Sequence, residues 1–490
     1  MPFSIEDIRQ ACQNVLRRFE GPTAVPRPDQ INAISSVLID SKRTLLIQPV
    51  GWGKSLVYWT LTDMLRRADE GLIVIVCPLL ALMLDQISAA RKAGLRIDTW
   101  NSTNTKNHYS IRQQVMEDEL DVLILTPEQL SRPGFIDLIR NEASLVVIDE
   151  AHCISQWGYS FRSDYLRLSH VLAKLPDVKV LATTATATHE IEQDIVKELG
   201  GDVNVLRGPL ANPSLSFNVI NGVHRDKQSQ FLDKALGNLG NGGIIYCFSK
   251  AKVISLAQEL SLRGHKVAHY HADLSINEKR LLEQRWRNND LKALISTSAL
   301  GMGINKKDVP FVMNVGIQPS ITDYFQQAGR AGRNGQEALA VLITEPKADQ
   351  KMIRRQPTFG MPNKEVLTLV YEALRSNNYP MSATDLALDC KVNHDDPVSL
   401  LKFLATQNAV EETQDGWYCI DKDWTFNDEL HEAIIERRSI EVQKMQSYAF
   451  ADTCLENILR KHLGDTEVSE NCGRCSNCKC ELPEQFKFGY

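Results

Sequence analysis

The sequence has no apolar run long enough to cross a bilayer. Its longest, Leu72 to Leu84, falls short of the ~20 residues a spanning helix needs and is broken by Pro78. The opening MPFSIEDIRQ carries acids where a secretion signal has an apolar core, so neither secretion nor a membrane partner is expected. There is no basic excess, since 55 Lys and Arg face 61 Asp and Glu for a net charge of −6. That removes any global electrostatic grip on nucleic acid and leaves a local basic groove as the remaining route. Beyond one duplicated α/β unit there is no internal repeat, and no low-complexity tract occurs. In a chain without an export signal the 11 cysteines read as reduced thiols or metal ligands, and a cytoplasmic location is expected, with the nucleoid if the source is bacterial.

What is present is rhythm. The 490 residues suffice for two to four domains. Apolar runs TLLIQP, GLIVIVCP, DVLILTP, LVVIDEA and KVLATTAT alternate with amphipathic segments, and after residues 201–213 the pattern restarts with LSFNVI, GGIIYCFS, KVAHYHA, KALISTSAL, PFVMNVG and ALAVLIT. Continuous apolar strands separated by helices predict α/β lobes with parallel sheets covered on both faces. We expect lobes over 1–206 and 207–349, with ligands at the carboxyl ends of their strands. From Lys351 the rhythm stops. Three short helical patterns and a hairpin turning at Asp415 and Gly416 predict a small winged-helix-like domain over 356–424, with a cysteine-bearing helical module over 425–490.

Chemistry gathers at the strand ends. In QPVGWGKSLVY, Gly51 and Gly53 free the backbone to wrap a phosphate, Lys54 would reach the β- and γ-phosphates, and Ser55 would hold Mg²⁺. Gln48 stands where the strict phosphate-loop pattern has its first glycine. A second apolar strand ends in VVIDEAH, which supplies Asp149 for Mg²⁺ and Glu150 to orient or deprotonate an attacking water. Either stretch alone could be a solvated turn; together they predict a nucleotide hydrolase. DYFQQAGRAGRNG adds Arg330 and Arg333 between glycines, spaced to act as fingers across a domain seam. Near the end, NCGRCSNCKC offers Cys472, Cys475, Cys478 and Cys480, whose spacing suits a closed tetrahedral Zn²⁺ site; spacing alone leaves Cys480 or Cys454 as the fourth ligand. Cys12, Cys77, Cys153, Cys247, Cys390 and Cys419 are scattered and expected to be buried small apolar residues.

In consecutive order from about residue 25 to 345, the chain resembles superfamily 2 helicases of the RecQ family. RPDQINAI is similar to the family's adenine-reading motif and implies Arg27 and Gln30 in that role. CPLLALMLDQ and TPEQL resemble its nucleic-acid-contacting motifs. DEAHCISQWGYSFRSDYLRL resembles its DEAH box and aromatic-rich loop, while TATAT, YHADL, STSALGMGINKKDV and the Gly-Arg repeat complete the set. The resemblance implies RecA-like lobes, His152 and Gln326 within the catalytic set, Cys454 as the fourth zinc ligand, and ATP with Mg²⁺ and Zn²⁺ as cofactors. It further implies ATP-driven 3′ to 5′ translocation on single-stranded DNA and unwinding of duplex DNA. Departures are Val50 and Trp52 where the family usually has threonine and a small residue, Tyr159 and Ser160 for His-Asp, Asp273 for glycine and Asn314 for histidine. In familiar relatives the zinc module precedes the winged helix; here the order is reversed. An RNA helicase, or an ATP-driven switch or scaffold without strand separation, are the alternative expectations.

Trp157, Tyr159, Phe161 and Tyr165 follow the acids at once, and a strand-to-helix connection needs none of them. Bases of single-stranded DNA stack on such rings for roughly 1–3 kcal/mol each, and Arg162 adds a planar charge. Trp157→Ala is therefore expected to keep basal ATP turnover and to lose most of its stimulation by single-stranded DNA, measured as rate against DNA concentration.

Overall fold

A computed structural model describes residues 3–487 apart from 79, 102–103, 131–134, 156–167, 302–305, 393–396 and 414. The first lobe carries seven parallel strands: β1 (Arg43–Ile47), β2 (Leu72–Val76), β3 (Ile97–Trp100), β4 (Val122–Leu125), β5 (Ala143–Ile148), β6 (Lys179–Thr184) and β7 (Val203–Arg207), in spatial order β3-β4-β2-β5-β6-β1-β7. Alternate residues feed two separate cores. Leu45, Ile47, Val74 and Val146 face one helical layer, while Leu46, Ile73, Ile75 and Val147 face the other. Burial on both faces is why these strands read as unbroken apolar runs. The order also has a chemical consequence: β5, β6 and β1 are neighbours, so three turns far apart in sequence meet at one edge.

The second lobe repeats the plan with β8 (Leu215–Ile220), β9 (Gly243–Cys247), β10 (Val267–Tyr270), β11 (Ala293–Ser296), β12 (Phe311–Val315) and β13 (Ala338–Ile343), ordered β10-β11-β9-β12-β13-β8 and all parallel. Two strands were not expected from the sequence. β3, with the sequence IDTW, is short and only partly buried, and β7 lies within the stretch we read as the connection between lobes. β7 pairs with β1 from Arg43↔Val203 to Ile47↔Arg207, so the first sheet runs one residue past the 206 boundary.

Helices Lys364–Ser376, Ala383–Asp389 and Pro397–Thr406 pack with the hairpin β14 (Val410–Thr413) and β15 (Gly416–Cys419) around their own core. This small domain is an insert. The chain leaves from the helix Pro346–Arg355 and returns in the long helix Asp428–Ala449, which packs against that departure point. Lys364 and Asp428 hold the two crossings together at 2.6 Å.

The C-terminal module shares the second lobe's core: Tyr448, Cys454, Leu455 and Cys475 belong to the same cluster as Phe217, Tyr324 and Leu342. Arg474 Nε donates to the Leu215 carbonyl at 3.1 Å, and Ser216 Oγ donates to the Arg474 carbonyl at 2.7 Å. A buried ion pair closes the joint. Arg460 Nε meets Asp465 Oδ2 at 2.7 Å, and the same oxygen accepts from the Leu210 backbone N–H, in the connection between lobes, at 2.8 Å. Asp465→Ala strands a buried guanidinium and is expected to lose about 3–5 kcal/mol from the unit formed by the second lobe and this module. Urea denaturation followed by a probe in that unit would show its midpoint fall.

Candidate active site and metal centre

The phosphate loop runs from the end of β1 into the helix Lys54–Arg67. Gly53 sits in the left-handed region at φ 96°, and a Cβ there would stand 2.7 Å from Gln30 Nε2, so glycine is required on both counts. Lys54 Nζ donates to the Gln48 and Pro49 carbonyls at 2.9 and 3.3 Å, and so curls back over its own loop. Burial lowers its pKa, Glu150 and Asp149 oppose that, and Arg333 adds to it. Ser55 opens the helix and is exposed. Gln30, 4% exposed, donates from Nε2 to the Trp52 carbonyl at 2.9 Å and accepts at Oε1 from the Arg27 backbone N–H at 2.9 Å. Arg27 is exposed at the start of the same helix.

At the end of β5, Asp149 accepts from Gln86 Nε2 at 2.9 Å and from Thr183 Oγ1 at 2.7 Å. Burial and the neighbouring Glu150 push its pKa up to about 6, against those two donors and Lys54. A buried carboxylate held this way is poised to take a cation. Glu150 adopts φ 54°, a left-handed conformation that is strained for a residue with a side chain. Its carboxylate lies 3.4 Å from His152 Nδ1.

His152 is the hinge of the arrangement. Its Nδ1 lies 3.1 Å from Thr184 Oγ1, which itself donates to the Thr186 carbonyl, and its Nε2 lies 3.1 Å from the Gln326 amide nitrogen. Since that amide can only donate, Nε2 accepts and the ring proton resides on Nδ1. Gln326 also donates to Thr186 Oγ1 at 2.8 Å. A residue of the second lobe thus bonds two residues of the first. Asn314, in place of the family's histidine, bonds Gln327 beside it.

The two arginines have different surroundings. Arg333 packs on the phosphate loop: a Cβ at Gly51 would lie 3.4 Å from its Cγ, and its Nε donates to the Gly329 carbonyl at 3.3 Å. Burial and Arg330 push its pKa down to about 10, while Tyr246 and Glu150 pull the other way. Arg330, 7% exposed, interacts with the Tyr246 hydroxyl, deeper in the second lobe. Lys54 and Arg333 are therefore two half-buried cations beside two carboxylates, a field that an anion with its metal ion would complete.

The sulfurs of Cys454, Cys472, Cys475 and Cys478 lie within 4.8 Å of one another. Cys472 and Cys478 Sγ are 3.9 Å apart, close to the ~3.8 Å edge of a tetrahedron with 2.3 Å Zn–S bonds. Burial pushes the Cys454 and Cys472 thiols up, and a divalent cation would reverse that preference. Backbone N–H groups of Cys472, Cys475 and Cys478 point at Cys454, Cys472 and Cys475 Sγ, each at 3.4 Å, as thiolates require. Cys480 is exposed and outside the cluster. Of the scattered cysteines, five are buried and Cys419 is half-buried.

Trp157, Phe161 and Arg162 fall within 156–167, outside the described residues. Sequence reasoning missed the roles of Thr183, Thr184, Thr186, Gln86 and Asp29. The threonines lie in or beside TATAT, a motif noticed without a job, and Gln86 closes CPLLALMLDQ but points inward to Asp149. Asp273, the departure in YHADL, pairs with Lys250.

Residues 27–194 match the DEAD/DEAH box helicase family, 227–335 the helicase conserved C-terminal domain and 413–479 the RecQ zinc-binding domain. The Mycobacterium smegmatis helicase Lhr, bound to ssDNA and AMP-PNP, superposes with a TM-score of 0.56 at 19% identity over 87% of this chain and 61% of its own. Saccharomyces cerevisiae Dbp5, bound to RNA and ADP BeF3, gives 0.56 at 18% over 71% and 91%. At such identities the likeness is one of fold alone. Among curated proteins, the ATP-dependent DNA helicase RecQ of Pasteurella multocida is 33% identical over 75% of this chain and 57% of its own length. RecQ of Haemophilus influenzae is 30% identical over 80% and 66%, and the probable ATP-dependent DNA helicase RecS of Bacillus subtilis 34% identical over 68% and 67%. The chain belongs to the RecQ family. It spans about half to two thirds of the length of these relatives. No helix among the described residues is long and apolar enough to cross a membrane.

Purified protein is expected to hold about one zinc per chain, and Cys475→Ala to lose it. Because Cys454 and Cys475 sit in the second lobe's core, the loss should also lower that lobe's melting temperature. Metal analysis beside thermal melting checks both.

Proposed function

We propose that the chain is an ATP-dependent DNA helicase that moves 3′ to 5′ along single-stranded DNA in the cytoplasm and separates duplex strands ahead of it. The observation that carries this reading is the approach of Arg333 and Gln326, from one lobe, onto the phosphate loop and His152 of the other. Arg27 and Gln30 read adenine, while Gly51, Gly53 and Lys54 cradle the phosphates. Ser55 and Asp149 hold Mg²⁺, which supplies charge to the β- and γ-phosphates. Glu150 orients the attacking water and takes its proton. Arg333, and behind it Arg330, offsets charge developing on the transferred phosphoryl group.

Coupling follows from the seam. Gln326 can bond His152 and Thr186 only while the lobes are closed, and Arg333 draws them together only while an anion fills the space between it and Lys54. Loss of the γ-phosphate removes that attraction, so each turnover opens and recloses the lobes on a DNA strand that Trp157, Phe161 and Arg162 grip. The zinc module is continuous with the second lobe's core and also accepts a bond at the Leu463 carbonyl from Arg207 of the first lobe, so it spans the hinge between them.

Strand displacement on 3′-tailed and 5′-tailed DNA forks and on RNA forks, run beside ATP turnover, tests this. DNA unwinding from the 3′ tail alone is expected. ATP turnover without displacement would make the chain a DNA-stimulated switch, and RNA unwinding would reassign its substrate. In the same assays Glu150→Gln should bind ATP and fail to hydrolyse it. Arg333→Ala should lose roughly 10³-fold in turnover at saturating ATP and DNA, with little change in nucleotide affinity.

A further inference from the structure

Trp52 occupies the phosphate loop one residue before Gly53, where the family usually has a small side chain. It is not a surface ornament: it is 4% exposed and packs with Leu56, Val57 and Ile34. Its indole Nε1 donates to Asp29 Oδ2 at 2.7 Å, and its carbonyl accepts from Gln30 Nε2 at 2.9 Å. Consecutive residues of the helix Pro28–Ser35 thus hold one loop residue by its side chain and by its main chain.

We infer that Trp52 is a positioning residue that fixes the orientation of the Gln30 amide and so sets the chain's preference for adenine over guanine nucleotides. This rests on the proposed function, in which Gln30 reads the base. The amide has no freedom to flip. Its oxygen must face the Arg27 N–H, a donor, and its nitrogen the Trp52 carbonyl, an acceptor. What remains for a base is one N–H and one oxygen lone pair in a fixed order. Adenine answers that pair with its N7 acceptor and N6 donor, whereas guanine presents two acceptors, N7 and O6. A loop that drifted away would release the Gln30 nitrogen and let the amide turn to suit guanine. The indole bond to Asp29 is what holds the loop in register, and its outer end is exposed, so its contribution is moderate.

Steady-state turnover of Mg·ATP and Mg·GTP by the full chain with single-stranded DNA tests the inference. Trp52→Phe and Asp29→Ala should each raise KM for ATP about three- to tenfold and narrow the ATP-to-GTP ratio of kcat/KM by a similar factor, with kcat for ATP held. The double variant should be no worse than either single one. Asp29→Asn keeps an acceptor and should restore the ratio. Asp29 is exposed, so its variants test the bond even where loss of the indole unsettles the core. Equal losses for both nucleotides, a fall in kcat at constant KM, or additive single effects would overturn the inference. An unaltered chain that turns over neither nucleotide would instead sink the functional reading, and this inference with it.

Discussion

Gln326, from the second lobe, bonds His152 and Thr186 of the first at 3.1 and 2.8 Å, and most of the proposed chemistry depends on that contact. With it, Arg333 lies against the phosphate loop and both cations are half-buried. Burial then works in two directions: it makes Lys54 and Arg333 poorer holders of their protons, and it raises Asp149. A metal-bound polyphosphate, the ligand of the proposed function, would relieve all three shifts at once.

The sequence was legible where physics is local. Apolar runs located eleven of the thirteen lobe strands, because strands buried on both faces leave an unbroken signature. It failed at β3 and β7, the two edges of the first sheet, whose half-exposed residues leave no such run. The phosphate loop, the acid pair and the cysteine cluster were visible because each packs its chemistry into a few consecutive residues. Spacing left Cys454 and Cys480 as rivals, and the fold separates them by bringing a helix start 18 residues upstream to Cys472. The threonines of β6 escaped notice for the opposite reason. Thr183 acquires meaning only because β6 lies between β5 and β1, and strand order is a property of the whole sheet.

The zinc module is tied to the first lobe as well as to the second. Arg207, the last residue of β7, donates to the Ala187 carbonyl and pairs with Glu192 in the first lobe, and it also donates to the Leu463 carbonyl in the module. Asp465, two residues on, fixes the connection between lobes through Leu210. A module stapled by four thiolates is a stiff anchor for such contacts, which a small helical segment of this size could not provide from its own core.

The insert between the helix Pro346–Arg355 and the helix Asp428–Ala449 has its two crossings joined by Lys364 and Asp428, and it also reaches the first lobe through Lys402 and Glu128 at 3.7 Å. Its composition is lopsided. Five of the 55 Lys and Arg and eleven of the 61 Asp and Glu fall in residues 356–424, which leaves 50 of each sign elsewhere. The whole formal charge of the chain is therefore carried by this one segment, and the remainder of the sequence is electroneutral. Seen from a distance, the molecule is an electric dipole with an anionic knob, and in any field, including that of a polyanion, it will tend to orient with that knob turned away.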